Sequence, residues 1–463
     1  MIRNHFEGET MGKKAAAVLK DLVRPWNVAI HSTTGLAGSV AEVSDTDDKD
    51  RREKNQEPLR RKPGLREVPA SDRGYSIELT PWKLLHTLGR ANVLARQGAG
   101  RGLAEHWASL KYCQALDGNH GSFMTLSTEG RNPMRHYKAV QSGELGIGFA
   151  LVAAQEILGR RYPGHSVSVI DAEIALRAGW TLTGKEGSAH RSAKRPHFFL
   201  EVWRPGEPSK VVLVACKGRH GKAAQVHAQL STAAVHVEAV HIGRPDETPA
   251  MVFGTEIPGK EPITVHVLEA AGDGVLHVPG GTDGVDLNLP DDVEPEEHAV
   301  VPGIDLAWGT TEEPRMVSGY HVRPDDYRWF RRVLAHADAA GLLAFTGGGK
   351  PTARYLSKGQ GKGHFDQYTH AGTGIVQDVV HSVHGVDFVG TDHVFRLNGT
   401  RVEAFSGVAR DLFEDLAKGR VEQYRRRANA LRAEWPGEPW DAKWRGPVSL
   451  NQDGSVMAIR VLR

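Results

Sequence analysis

Apolar and polar positions divide the chain into blocks. From Ala41 to Gly74 charges dominate and apolar residues are sparse. Such a segment buries too little to offset its ordering entropy, so residues 1–74 read as a disordered charged leader, with one short helical pattern from Lys13 to Val23. Order is expected from Tyr75. Pro81-Trp-Lys-Leu-Leu-His opens a helix with proline in its first turn, and helical patterns continue to about Leu116. A second helical block runs from about Pro133 to Leu158 and stops at Gly159. Its Gly143, Gly146 and Gly148 each weaken a helix. They read as sites of close packing, because their order does not match the dinucleotide fingerprint and no strand precedes them.

The spacing of Val169, Ile170, Ile174 and Leu176 predicts a helix over Ser166–Ala178, with Gly179 as its stop. Trp180 to Thr183 then reads as a strand. Arg195-Pro-His-Phe-Phe-Leu-Glu-Val-Trp and Val211-Val-Leu-Val-Ala-Cys-Lys are two apolar strands around a Pro/Gly turn. Ala223–Ala234 reads as a helix, Val235–Ile242 as a strand, and Val252–Leu268 as further strand material. The resulting order is helix, strand, strand, strand, helix, strand, which predicts an α/β core. A last domain begins near Met316. Its first helix opens at Arg323-Pro-Asp-Asp, with Gly341 as the stop. Hairpins are expected at Asn398-Gly399 and Asp453-Gly454, and Val408 to Trp435 reads as one long helix. The domain reading is a leader (1–74), a helical segment plus α/β domain (75–280), an acidic linker (281–314) and an α+β C-terminal domain (315–463).

Composition narrows the class. The chain has 463 residues, 40% hydrophobic and 25% charged, which fits two or three globular domains. No apolar run approaches the roughly 18 residues a membrane span needs, so no membrane partner is expected. Two cysteines exclude a disulfide framework and point to a reducing cytoplasm. The net charge of +2 says little, but its distribution says more. Arg177 to Lys222 holds ten Lys/Arg against three acids, whereas Gly281 to Pro314 holds ten acids and no Lys/Arg. The basic stretch is suited to collecting phosphates.

Side chains alternate faces along a strand. Ala215 and Lys217 therefore share one face, and His197, Phe199 and Glu201 share a face of the preceding strand. With Lys217 followed by Gly-Arg, and Glu173 on an upstream helix, this stretch resembles the PD-(D/E)XK, or restriction-endonuclease-like, superfamily. The resemblance covers roughly residues 166–245. It implies an aspartate at the start of one strand and a Glu-x-Lys set at the end of the next. Mg2+ held by the acids would then drive phosphodiester hydrolysis, in genome defence or DNA processing. It implies catalytic roles for Glu173, Lys217 and Gln229, metal contacts from Glu173, His197 and Glu201, and a DNA partner. Here His197 stands where the aspartate belongs and Ala215 where the glutamate belongs. Alanine cannot ligate a metal, and imidazole prefers zinc-like ions to Mg2+. Three readings follow: a carboxylate migrated to Glu201 or Asp171, an inactivated variant, or a fold that has lost cleavage and binds DNA or a protein partner.

Arg195, Arg219 and Lys222 are the expected phosphate contacts beside this hairpin. Lys350 and Arg354, interleaved with glycines and Tyr355, form a second basic stretch suited to a nucleic-acid backbone. Thr346-Gly-Gly-Gly-Lys-Pro-Thr lacks the first glycine and the Ser/Thr of a phosphate loop. His364 with His370, or His381 with His384, provides no evident four-ligand zinc set. The C-terminal domain is left as a candidate surface for a protein partner.

Overall fold

The computed structural model describes residues 13–94, 105–118, 122–179, 194–221, 223–278, 285–289, 303–308, 313–357, 360 and 379–462. Two sheets dominate it. The first contains β1 (Trp26–His31), β2 (Ser76–Leu79), β3 (Ser166–Asp171), β4 (Phe198–Trp203), β5 (Lys210–Arg219), β6 (Ala250–Glu256) and β7 (Thr264–Ala270). They lie side by side in the order β2-β1-β7-β6-β5-β4-β3. β4 is antiparallel to both of its neighbours, β3 and β5, β5 and β6 run parallel, and β7 is antiparallel to β6 and parallel to β1.

Helices cover both faces of this mixed sheet. The Thr255 hydroxyl donates to the Gly146 carbonyl on α4 (Tyr137–Arg161). A Cβ on neighbouring Gly254 would instead meet Val226 and Leu230 of α6 (Ala223–Val237). Adjacent residues of a strand point oppositely, so α4 and α6 lie on opposite faces. The approach of α4 depends on glycine. A Cβ on Gly218 would sit 1.9 Å from the Ser142 carbonyl oxygen, and one on Gly146 would sit 2.6 Å from the Gly218 Cα. The expected close packing thus holds for Gly146 and for Gly148, which abuts Leu84, whereas Gly143 faces open space.

The second sheet is antiparallel throughout. It consists of β8 (Val379–Val383), β9 (Val386–Leu397), β10 (Thr400–Ala409), β11 (Trp440–Asp441), β12 (Gly446–Leu450) and β13 (Ser455–Val461), ordered β8-β9-β10-β13-β12-β11. The Asn398-Gly399 turn has positive φ at both residues, which matches the twist of a tight hairpin. Asp453-Gly454 likewise separates β12 from β13.

Residues 13–74 depart from the expected leader. They form α1 (Ala15–Leu22), β1 and α2 (Thr34–Glu53). β1 sits inside the sheet between β2 and β7, with Val28 and Ile30 buried. The charges of α2 mask a narrow apolar contact through Leu36 and Val40, both buried. The split at residue 75 is therefore not a boundary of order. The 280/315 division is not a gap in packing either. The Trp82 indole of α3 (Pro81–Asn92) donates to the Met457 carbonyl of β13 at 2.8 Å, and buried residues of both sheets form one continuous core. Within 281–314, residues 285–289 dock on the C-terminal helices, whereas Ile304–Asp305 pairs with Met316–Val317. The Leu289 N–H donates to the Gly419 carbonyl and the His336 ring donates to the Leu287 carbonyl. The rest of the acidic stretch lies outside the described residues.

Other elements shift for local reasons. Ser166–Ala178 is strand β3 followed by α5 (Ala172–Gly179), and the expected Trp180–Thr183 strand lies outside the described residues. α6 continues to Val237, leaving only Val240–Ile242 as strand. Helix α7 (Tyr327–Phe345) runs through Gly341. The long helix expected over Val408–Trp435 is two helices, α8 (Arg410–Ala417) and α9 (Val421–Leu431). Gly419, at φ +80°, makes the break.

Candidate functional site around Lys217

β5 carries an unbroken buried run from Val211 to Cys216 and emerges at Lys217-Gly218-Arg219. Ala215 pairs with Val252 and Lys217 with Gly254, so Ala215 and Lys217 share the face covered by α6. Ala215 is fully buried. Lys217 is half-buried, and burial lowers the pKa of its ammonium, with Lys194 lowering it further.

His197 folds over this strand end. Its backbone N–H donates to the Val214 carbonyl at 2.9 Å, and its Nδ1 accepts the Cys216 N–H at 2.8 Å. An Nδ1 that accepts places the ring proton on Nε2. Burial, followed by the charges of Lys217 and His236, pushes His197 down to about 3. The neighbouring His236 ring of α6 lies 5.4 Å away between centroids. Its Nδ1 contacts the Arg195 carbonyl at 2.9 Å, and burial and Lys217 lower its pKa too. Gln229, also on α6, donates through Nε2 to the Gly218 carbonyl at 3.3 Å. Its Oε1 is buried with no partner among the described residues.

The carboxylates expected here are engaged elsewhere. Glu173 is ion-paired with Arg177 and, at 2.9 Å, with Arg195. Asp171 caps α5 by accepting the Ile174 N–H at 3.0 Å, and burial pushes it up to about 6. Glu201 has the predicted face parity but pairs with Val211, two pairs along from Phe199–Leu213. It is fully buried and held by both guanidinium nitrogens of Arg425, at 3.0 and 2.5 Å, and by the Ser209 hydroxyl at 2.6 Å.

The structure therefore brings together Lys217, His197 and Gln229 of the residues named from sequence, with Glu173 and Arg195 as a salt-bridged pair beside them. It separates Glu201 from them. Arg219 is exposed at the strand end, and Lys222 lies outside the described residues. Lys350 is on a short helix, Gly349–Ala353, but its side chain lies outside the described set. Arg354 is exposed and donates to the Ala417 carbonyl at 3.1 Å, closing the end of α8. Sequence reading missed His236. It fell within the expected Val235–Ile242 strand, and only the continuation of α6 to Val237 brings it to His197.

The residues around Lys217 do not fit an Mg2+ site. Mg2+ requires oxygen ligands, and no group of three His, Cys, Asp or Glu ligands forms here among the described residues. The nearest acids already carry a guanidinium partner or a helix cap. The His197 and His236 imidazoles, the Lys217 ammonium and the Gln229 amide instead make a polar cluster with Glu173 neutralised by Arg177 and Arg195 beside it, a set suited to an anion. Comparison with protein-family models, curated proteins and solved structures returns no match. Among the described residues no helix is long and apolar enough to cross a membrane.

Proposed function

We propose that this chain binds nucleic acid through a restriction-endonuclease-like core that has lost its metal-binding acids. The observation carrying this reading is that Lys217, a half-buried ammonium, is flanked by His197, His236 and Lys194, while Glu173 is taken up by Arg177 and Arg195. The core reading is supported by α4, then β3, β4 and β5 with neighbours paired antiparallel, helix α6, and β6 parallel to β5, with α5 set between β3 and β4 and the short Val240–Ile242 strand between α6 and β6. Its helix and first strand are not the ones expected from sequence: Ser166–Ala178 is β3 and α5, so Glu173 follows the first strand instead of preceding it. Phosphate would meet Lys217 at the strand end, with exposed Arg219 and Lys194 beside it. Hydrolysis would need a second group to activate water, and none of the neighbouring carboxylates is free to do so.

The test is titration of a fluorescent duplex and a single strand at several salt concentrations. Lys217→Ala should weaken binding across sequences and lower the salt slope by about one unit. Plasmid incubated with Mg2+ or Mn2+ should remain uncut. Absence of salt-sensitive binding would remove the proposal. Cutting that Lys217→Ala abolishes would replace it with a hydrolytic role.

A further inference from the structure

The second sheet brings together three metal-ligating side chains that lie apart in sequence. His381 is on β8, Asp392 on β9 and Glu403 on β10. Register settles which face each occupies. His381 pairs with Phe388, four residues from Asp392, and Asp392 pairs with Phe405, two residues from Glu403. All three therefore point from one face. One ligand atom from each lies within 4.8 Å of the other two. The His381 Nε2 to Asp392 Oδ1 distance is 3.1 Å. Two ligands of a tetrahedral zinc-like ion stand about 3.4 Å apart, given metal–ligand bonds of about 2.1 Å, so this pair is already near that spacing.

The surroundings favour a bound cation. Asp392 and Glu403 are on adjacent strands, and like charges at that spacing repel. Glu403 is nearly buried, so its charge is weakly screened. Arg460, on the next strand, donates through Nε to Glu403 Oε2 at 2.5 Å. Its guanidinium lies 4.0 Å from the Trp444 ring centroid. That contact fixes one carboxylate oxygen and leaves the other to turn toward His381 and Asp392, as outer partners orient metal ligands elsewhere. The wall behind is aromatic. The His381 ring packs edge-on against Phe405 at 4.7 Å and Trp444 at 5.1 Å. The Trp444 indole nitrogen is buried without a hydrogen-bond partner among the described residues.

We propose that His381, Asp392 and Glu403 bind one zinc-like divalent cation, with a fourth position open to solvent. The imidazole selects against Mg2+ and Ca2+, which prefer all-oxygen sites. The site is remote in sequence from Lys217 and does not depend on the nucleic-acid reading.

Co2+ tests it with full-length protein stripped by a chelator, because its visible absorption reports coordination by protein. Wild type should take up Co2+ with visible bands that Zn2+ displaces and that millimolar Mg2+ leaves in place. His381→Ala and Asp392→Asn should each bind one equivalent fewer by equilibrium dialysis and lose those bands. Glu403 is spared, because its loss would also strand Arg460. Circular dichroism and a thermal melt of both variants establish that they are folded. Unchanged stoichiometry and unchanged bands in the folded variants would overturn the assignment and leave His381–Asp392 and Arg460–Glu403 as two charge pairs.

Discussion

Replacing Arg425 with methionine should be among the most destabilising single changes in the chain. Arg425 and Glu201 are 7% and 0% exposed at their side chains. The pair is bidentate, Ser209 supplies a further hydrogen bond to Glu201, and the guanidinium lies 4.7 Å from the Trp203 ring centroid. Removing one member of such a pair leaves an uncompensated buried charge and costs about 3–5 kcal/mol. An exposed helical pair such as Lys418–Glu414 is worth about 0.3–0.5 kcal/mol, so the effect should be several-fold larger than for any surface ion pair. Glu201→Met should cost a similar amount, plus about 1 kcal/mol for the stranded Ser209 hydroxyl. The double variant should lose far less than the sum, because two apolar side chains of similar volume replace the pair without leaving a charge. Guanidinium denaturation followed by tryptophan fluorescence measures all three variants, and the coupling follows from the cycle. A single change costing under about 1 kcal/mol, or costs that simply add, would refute the reasoning. Selective loss of nucleic-acid binding by folded Glu201→Met would return Glu201 to the functional site.

Stability should fall as pH drops below about 6.5, where an unfolded imidazole begins to take up a proton. Burial holds His86, His106 and His197 down to about 3, and His266 and His336 to about 4. Between these values and 6.5 the unfolded chain therefore binds more protons than the folded one. Asp171 and Asp338, pushed up to about 6 by burial, act in the opposite sense between that value and their ordinary 3.8, but the histidines outnumber them. Urea midpoints at pH 7.5 and pH 5 check the sign, and a midpoint equal or higher at pH 5 contradicts it. Deleting residues 1–74 should leave an insoluble or unfolded chain, because it removes β1 from the interior of the first sheet. A soluble truncation with the full-length melting midpoint would show that β1 contributes nothing.

Local signals were legible where local chemistry decides the outcome. Asn398-Gly399 sets its hairpin because both residues accept positive φ. Thr80-Pro81 starts α3 because the Thr80 hydroxyl accepts the Lys83 N–H and proline needs no partner at that position. The alternation that put Ala215 and Lys217 on one face follows from strand geometry alone. In β3 the pattern misled, because buried Ser168 faces the core and is satisfied by Trp203 and Asp338, while Val167 and Val169 are only half-buried. A serine at a core position reads as polar until its partners are known.

The sequence by itself determined the strand pair around Lys217, the faces of its residues and the absence of glutamate at 215. Only the tertiary structure decided what those residues meet. Glu201 was a candidate ligand until Arg425, 224 positions away, occupied both of its oxygens. His381, Asp392 and Glu403 are ordinary strand residues until three strands align in register. The physical reason is common to both. Backbone preference and side-chain alternation act over a few residues, whereas the partner of a buried charge is chosen by packing between elements far apart in the chain.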